Sequence, residues 1–112
     1  MVPNTRLQAK VKDGSTEVKA LIKHPMETGS RKDQETGKLI PAHFITEVKC
    51  EYNGQIVMST LWGVGISADP YLSFKFKGGQ AGEKIKLTWT DNLGATESTE
   101  AKIEEEEKKE EN

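Results

Sequence analysis

At 112 residues the chain is long enough for one domain with a modest core and needs no obligatory staples. Its net charge of −2 is unevenly spread: residues 104–112 carry six acids and two lysines, which leaves 14 basic and 12 acidic residues in the body, a balance too even for a nucleic-acid binder. The single cysteine, Cys50, excludes an internal disulfide and a thiolate-rich zinc knot, and no apolar run is long enough to span a membrane.

Hydrophobic alternation of period two runs from the start. Leu7, Ala9 and Val11 mark a first strand, Asp13-Gly14 a turn, and Val18, Ala20 and Ile22 a second strand. A long polar connection follows, "KHPMETGSRKDQETGKLIPAHFI" over residues 23–45, with Pro25 and Pro41 stiffening its ends. The next strand is expected in "AHFITEVKCEY", with Phe44, Thr46, Val48, Cys50 and Tyr52 on one face. Asn53-Gly54 then supplies a type I′ hairpin turn. The return strand "QIVMSTLW" is apolar on both faces, which predicts a central strand.

"GVGISADP" breaks the pattern, and Leu72, Phe74 and Phe76 resume it up to Gly78-Gly79. Ile85, Leu87 and Trp89 form the next strand, "DNLG" at residues 91–94 turns the chain, and a polar edge strand closes the domain near Ile103. Residues 100–111 lack the apolar face that a docked helix needs. Seven short strands with frequent turns predict an all-β, immunoglobulin-like β-sandwich over residues 1–103, followed by an acidic disordered tail over 104–112.

Candidate chemistry is sparse. His24, Met26, His43 and Cys50 are possible metal ligands. A blue-copper site would want a histidine beyond Cys50, and there is none. "KHPM" and "AHFI" resemble the loop of superoxide reductases, in which histidines help bind iron. That pattern asks for four histidines and a C-terminal cysteine–histidine pair, and this chain has two histidines and nothing suitable after Trp89. A metal-binding redox sandwich is therefore the alternative, and loop-flanking histidines that hydrogen-bond backbone are the expectation. Cys50 reads as a buried small hydrophobe or, if a partner covers its face, as a site for an intermolecular disulfide. No carboxylate pair or phosphate loop stands out. Arg31, Lys32, Asp33 and Lys38 on the anchored loop, with Trp62 and Tyr71 flanking the glycine-rich bend, suit a protein–protein surface better than catalysis.

Taken together, "IKHPMETGSRKD", "GKLIPAHFI", "NGQIV", "WGVGISADPYLSFKFKGGQAGEKIKLTWTDNLG" and "ESTEAKI" resemble the SoxZ family of sulfur-oxidation proteins over nearly the whole chain. The resemblance implies the same sandwich, no catalytic residues, no cofactor, and a periplasmic subunit paired with a SoxY carrier. SoxY-type subunits hold sulfur intermediates on a C-terminal Gly-Gly-Cys-Gly-Gly arm while separate Sox enzymes dock transiently. "MVPNTRLQAK" has no signal-peptide hydrophobic segment, so export bound to a signal-bearing SoxY is the expected route. Candidate partner-binding residues are His24, Met26, Arg31, Lys32, Asp33, His43, Cys50, Trp62 and Tyr71.

Overall fold

A computed structural model describes residues 5–106. Seven strands follow in chain order: β1 Thr5–Lys12, β2 Ser15–Ile22, β3 Ile45–Tyr52, β4 Gln55–Leu61, β5 Tyr71–Lys77, β6 Lys84–Asp91 and β7 Thr96–Glu105. Two-residue turns close the first two hairpins. Asp13 and Gly14 sit at φ 52° and 78°, and Asn53 and Gly54 at 51° and 75°, the left-handed pairs that match the twist of the flanking strands.

The strand order is β4-β3-β6-β7-β1-β2-β5. β7 joins the two halves of the immunoglobulin-like sandwich, running antiparallel to β6 from Thr96 to Lys102 and then parallel to β1 from Ile103 to Glu105. The core lies between the halves and is built by inward residues of both: Val18, Ala20 and Ile22 from β2, Val48 and Cys50 from β3, Phe76 from β5, and Ile85, Leu87 and Trp89 from β6. Two contacts cross it directly. The Trp89 indole donates to Thr5 Oγ1 at 3.3 Å, and the Tyr52 and Phe76 rings lie 5.3 Å apart.

The structure reverses two expectations about strand position. The polar last strand is not an edge. It lies between β6 and β1, and its polarity is spent on the solvent face, where Ser98 pairs with Thr88 and Thr96 with Thr90. It also runs two residues beyond Ile103, so Glu104 and Glu105 belong to the sheet rather than to a disordered tail. The rest of that tail, residues 107–112, falls outside the described residues. Conversely, apolar β4 is an outer strand, bonded among the described residues to β3 alone, with Ile56 and Leu61 exposed.

β3 also differs in phase. It starts at Ile45, and a bulge against β6 makes Thr46 the extra residue, so Ile45 and Val48 both point inward although they are three apart. Strict alternation puts Thr46 on the core face and leaves Ile45 off it; the bulge reverses both.

Candidate functional site

The best-organised polar cluster forms where β2, the long connection and β6 meet. His24 lies two residues beyond the end of β2. Its N–H donates to Asp69 Oδ1 at 3.1 Å and its carbonyl accepts from Asp69 N at 3.0 Å, which ties the exit of β2 to the bend before β5. Asp91 ends β6 and opens the "DNLG" turn, its Oδ1 accepting from Leu93 N at 3.0 Å and Ala95 N at 2.9 Å. Its other oxygen, Oδ2, accepts from His43 Nε2 at 2.8 Å and from His24 Nε2 at 3.2 Å. His24 and Asp91 are each 4% exposed, whereas His43 is half-buried. The imidazoles meet edge to face at 4.5 Å, and His24 packs edge-on against Trp89 at 5.2 Å.

One further bond fixes the chemistry of this trio. The Met26 N–H donates to His24 Nδ1 at 3.1 Å, with Met26 held at φ 48°. His24 Nδ1 must therefore present its lone pair, and the ring proton sits on Nε2, aimed at Asp91. Burial pushes the Asp91 carboxyl up, but hydrogen bonds from His24, His43, Ala95 and Leu93 outweigh it and hold the group below its ordinary value of 3.8. The result is a fully satisfied lock that joins three segments far apart in sequence.

His24, His43 and Asp91 each offer a ligand atom, all within 4.8 Å of one another, which also raises the question of a metal ion. A histidine that binds a metal offers a lone pair at one nitrogen and donates its other N–H to an acceptor. His24 has the opposite arrangement, because its second nitrogen already accepts from the Met26 amide. The residues present do not fit a cation without displacement of that backbone. Incubation with iron(II) or zinc(II), followed by desalting and elemental analysis, is expected to find no stoichiometric metal. One bound equivalent that disappears in His24→Ala would overturn this.

Between Met26 and Phe44 the long connection folds back on itself as an irregular ribbon. Glu27 and His43 exchange backbone bonds at 2.7 and 3.0 Å, and farther out Ile40 N bonds Arg31 O and Asp33 N bonds Lys38 O. Arg31 reaches Glu27 with two nitrogens, Nη2 to Oε2 at 2.5 Å and Nε to Oε1 at 3.1 Å. That pairing holds the Glu27 carboxyl below its usual range.

The candidate residues thus separate into groups. His24 and His43 come together on Asp91, with Met26 buried beside them; His24 Nδ1 does bond backbone, at Met26 N, while both Nε2 atoms serve a carboxylate that was not expected. Arg31 and Lys32 are exposed on the ribbon, and Asp33 is half-buried, its Oδ1 accepting from Glu35 N at 2.8 Å. Trp62 packs half-buried against the core, while Tyr71 is 61% exposed. Cys50 is fully buried between the sheets, and loss of solvation, with Glu51 nearby, pushes its thiol up to about 12. A thiol so placed is neither a nucleophile nor within reach of another chain's cysteine, which corrects the disulfide alternative.

A family model described as "Sulphur oxidation protein SoxZ" matches residues 5–102. The chain belongs to the SoxZ family. Its role accordingly lies in sulfur oxidation, in a system whose members work with protein partners. No curated protein matches the chain. Solved superoxide reductases share the fold: one in the oxidised state has a TM-score of 0.59 at 15% identity, covering 89% of this chain and 86% of that one. A mutant superoxide reductase (neelaredoxin) from Archaeoglobus fulgidus in the reduced form gives 0.61 at 17% identity, covering 91% and 89%. The same organism's neelaredoxin without a stated mutation gives 0.57 at 19%, covering 91% and 88%. Identities this low speak for a shared fold alone.

Proposed function

We propose that the chain is the non-catalytic subunit of a periplasmic sulfur carrier, paired with a SoxY-type subunit and exported together with it. Family membership supports the setting, and one observation carries the division of labour. The chain's single cysteine is sealed in the core with its thiol proton held, and its histidines are committed to Asp91. The chain's one cysteine is too buried to hold sulfur covalently, which supports placing the carrier thiol on another chain. In this reading the sandwich supports the SoxY-type arm and presents surface, including Arg31 and Lys32 on the ribbon and Tyr71 after the bend, to the Sox enzymes.

The test is a pull-down of the tagged chain from its host without reductant, read by intact-mass spectrometry. The expected result is one partner ending in Gly-Gly-Cys-Gly-Gly, released without any disulfide to this chain because Cys50 is inaccessible. A lone chain, or one that carries a stoichiometric metal, would overturn the reading.

A further inference from the structure

Two strands end the sheet order, and they are treated differently. The outer edge of β5 is guarded by Lys75 and Lys77, both exposed, which another strand could not approach without stripping water from two ammonium groups. β4 has no such guard. Its sequence, QIVMSTL, contains no charge, no proline and no glycine, and Ile56 is 55% and Leu61 79% exposed. The apolar surface continues past the strand to Val64, 45% exposed. A bulge at Val57 interrupts the β3–β4 ladder, but from Met58 to Leu61 the edge is regular and uncharged, a liability in a chain that works alone and a docking device in one that does not.

The ladder defines what the edge offers. Trp62 N donates to Thr46 O at 2.9 Å, and the strands pair Thr60 with Val48 and Met58 with Cys50. Antiparallel alternation makes these the residues bonded to β3, so the N–H and C=O groups of Ser59 and Leu61 point away from the sheet. Among the described residues β4 pairs with no strand but β3.

We propose that the β4 edge is the docking site for a β-strand of the SoxY-type partner, added to the sheet by backbone hydrogen bonds. The inference rests on the carrier-subunit reading and deepens it. The incoming segment is mainly apolar where it meets Ile56 and Leu61, while Glu47, Lys49 and Glu51, their neighbours on β3, leave charged groups beside the strip. It carries an apolar side chain at every second position, and its backbone pairs with Ser59 and Leu61. A stable pair buries roughly 800 Å² per partner, whereas a strip one strand long, about 23 Å, supplies only part of that. The apolar continuation through Trp62, Val64 and Ile66 supplies more, so the same partner covers the bend as well as the strand.

Amide hydrogen exchange on the full chain, free and co-produced with the SoxY-type subunit, tests this together with three variants. Ser59→Pro removes an edge N–H while leaving the β3 ladder intact, Ser59→Ala controls for the side chain, and Leu61→Lys adds a guard. The expected result is slowed exchange at Ser59 and Leu61 in the complex. Ser59→Pro should weaken binding about tenfold, the worth of one hydrogen bond left unmade, while Ser59→Ala binds normally. If Ser59→Pro lowers the melting temperature of the free chain, Leu61→Lys carries the decision. A complex with unchanged exchange at these amides and normal binding by the variants overturns the edge site and leaves the carrier reading standing. A wild-type chain that binds no SoxY-type subunit overturns both. Edge protection in the chain alone, with a dimer mass, would make a second copy the occupant and overturn the assignment.

Discussion

Asp91→Ala is expected to destabilise the domain by about 3–5 kcal/mol, the range for stripping one partner from a buried hydrogen-bonded charge network. The carboxylate serves four donors: the ring N–H groups of His24 and His43 and the amides of Leu93 and Ala95. His24 cannot re-pair by changing tautomer, since its Nδ1 already accepts from Met26. Asp91→Asn should recover only part of the loss. Its oxygen can still cap the Leu93 and Ala95 amides, but its NH₂ would confront two ring N–H groups. Denaturation in urea measures both variants. For a domain of this size the alanine variant should melt at least about 12 °C lower than the parent. A difference of a degree or two would mean that the lock is ornamental.

The same group predicts how stability follows pH. The folded Asp91 carboxyl lies below its ordinary value of 3.8, so between the folded and unfolded values the unfolded chain binds more protons. The stabilisation is therefore complete above about pH 4, given the unfolded reference value, and is lost as pH falls through the lower folded value. Removing Asp91 should flatten that acid limb as well as lower the plateau.

Much of the fold was legible because it is written locally. Asp13-Gly14 and Asn53-Gly54 dictate hairpins on their own, and the alternations in β1, β2, β5 and β6 need no tertiary knowledge. Legibility stopped where a strand's neighbours decide its meaning. β7 looked like an edge because its side chains are polar, yet hydrogen-bond position and side-chain polarity are independent when the outer face meets water. β4 looked central for the converse reason. Among the described residues it pairs with β3 alone, so its apolar composition does not mark a central position. The bulge at Thr46 was hidden for a third reason, since one extra residue shifts the phase without any glycine to announce it.

The sequence offers the two histidines as joint metal ligands or as backbone-bonding side chains, and in neither case with a carboxylate. The third member of the cluster, Asp91, was noticed only as the first residue of a turn, and it does cap that turn with Oδ1. Nothing local says that Oδ2 serves residues 67 and 48 positions away. The available hint was register: Asp91 pairs with Ile45, two residues after His43, so a correct β3–β6 alignment would have brought carboxylate and imidazole together.

Gly79→Ala is expected to be comparably damaging, for a different reason. Gly79 sits at φ 95°, where an L-residue pays about 1–3 kcal/mol in backbone strain. A Cβ there would also lie 2.1 Å from Thr16 Oγ1 and 3.3 Å from Ile103 Cδ1. Neither neighbour can yield easily. Thr16 is fully buried, with its hydroxyl donating to Gly78 O at 2.7 Å, and Ile103 is the residue at which β7 changes partner from β6 to β1. Its backbone is clamped from both sides by Glu83 O and Gly82 N, at 2.7 and 2.8 Å. Overpacking at such a point adds about 1–3 kcal/mol, for a total of roughly 2–6 kcal/mol. Gly78→Ala isolates the two contributions, because Gly78 has a similar φ of 100° but open space where its Cβ would go. It should show the strain alone. Introducing Thr16→Ala into the Gly79→Ala chain removes the clashing oxygen, so the pair should be less destabilised than the sum of the single changes. Equal losses for Gly78→Ala and Gly79→Ala, or additive behaviour of the double variant, would show that the Thr16–Gly79–Ile103 contact does not govern how tightly β7 binds the two halves together.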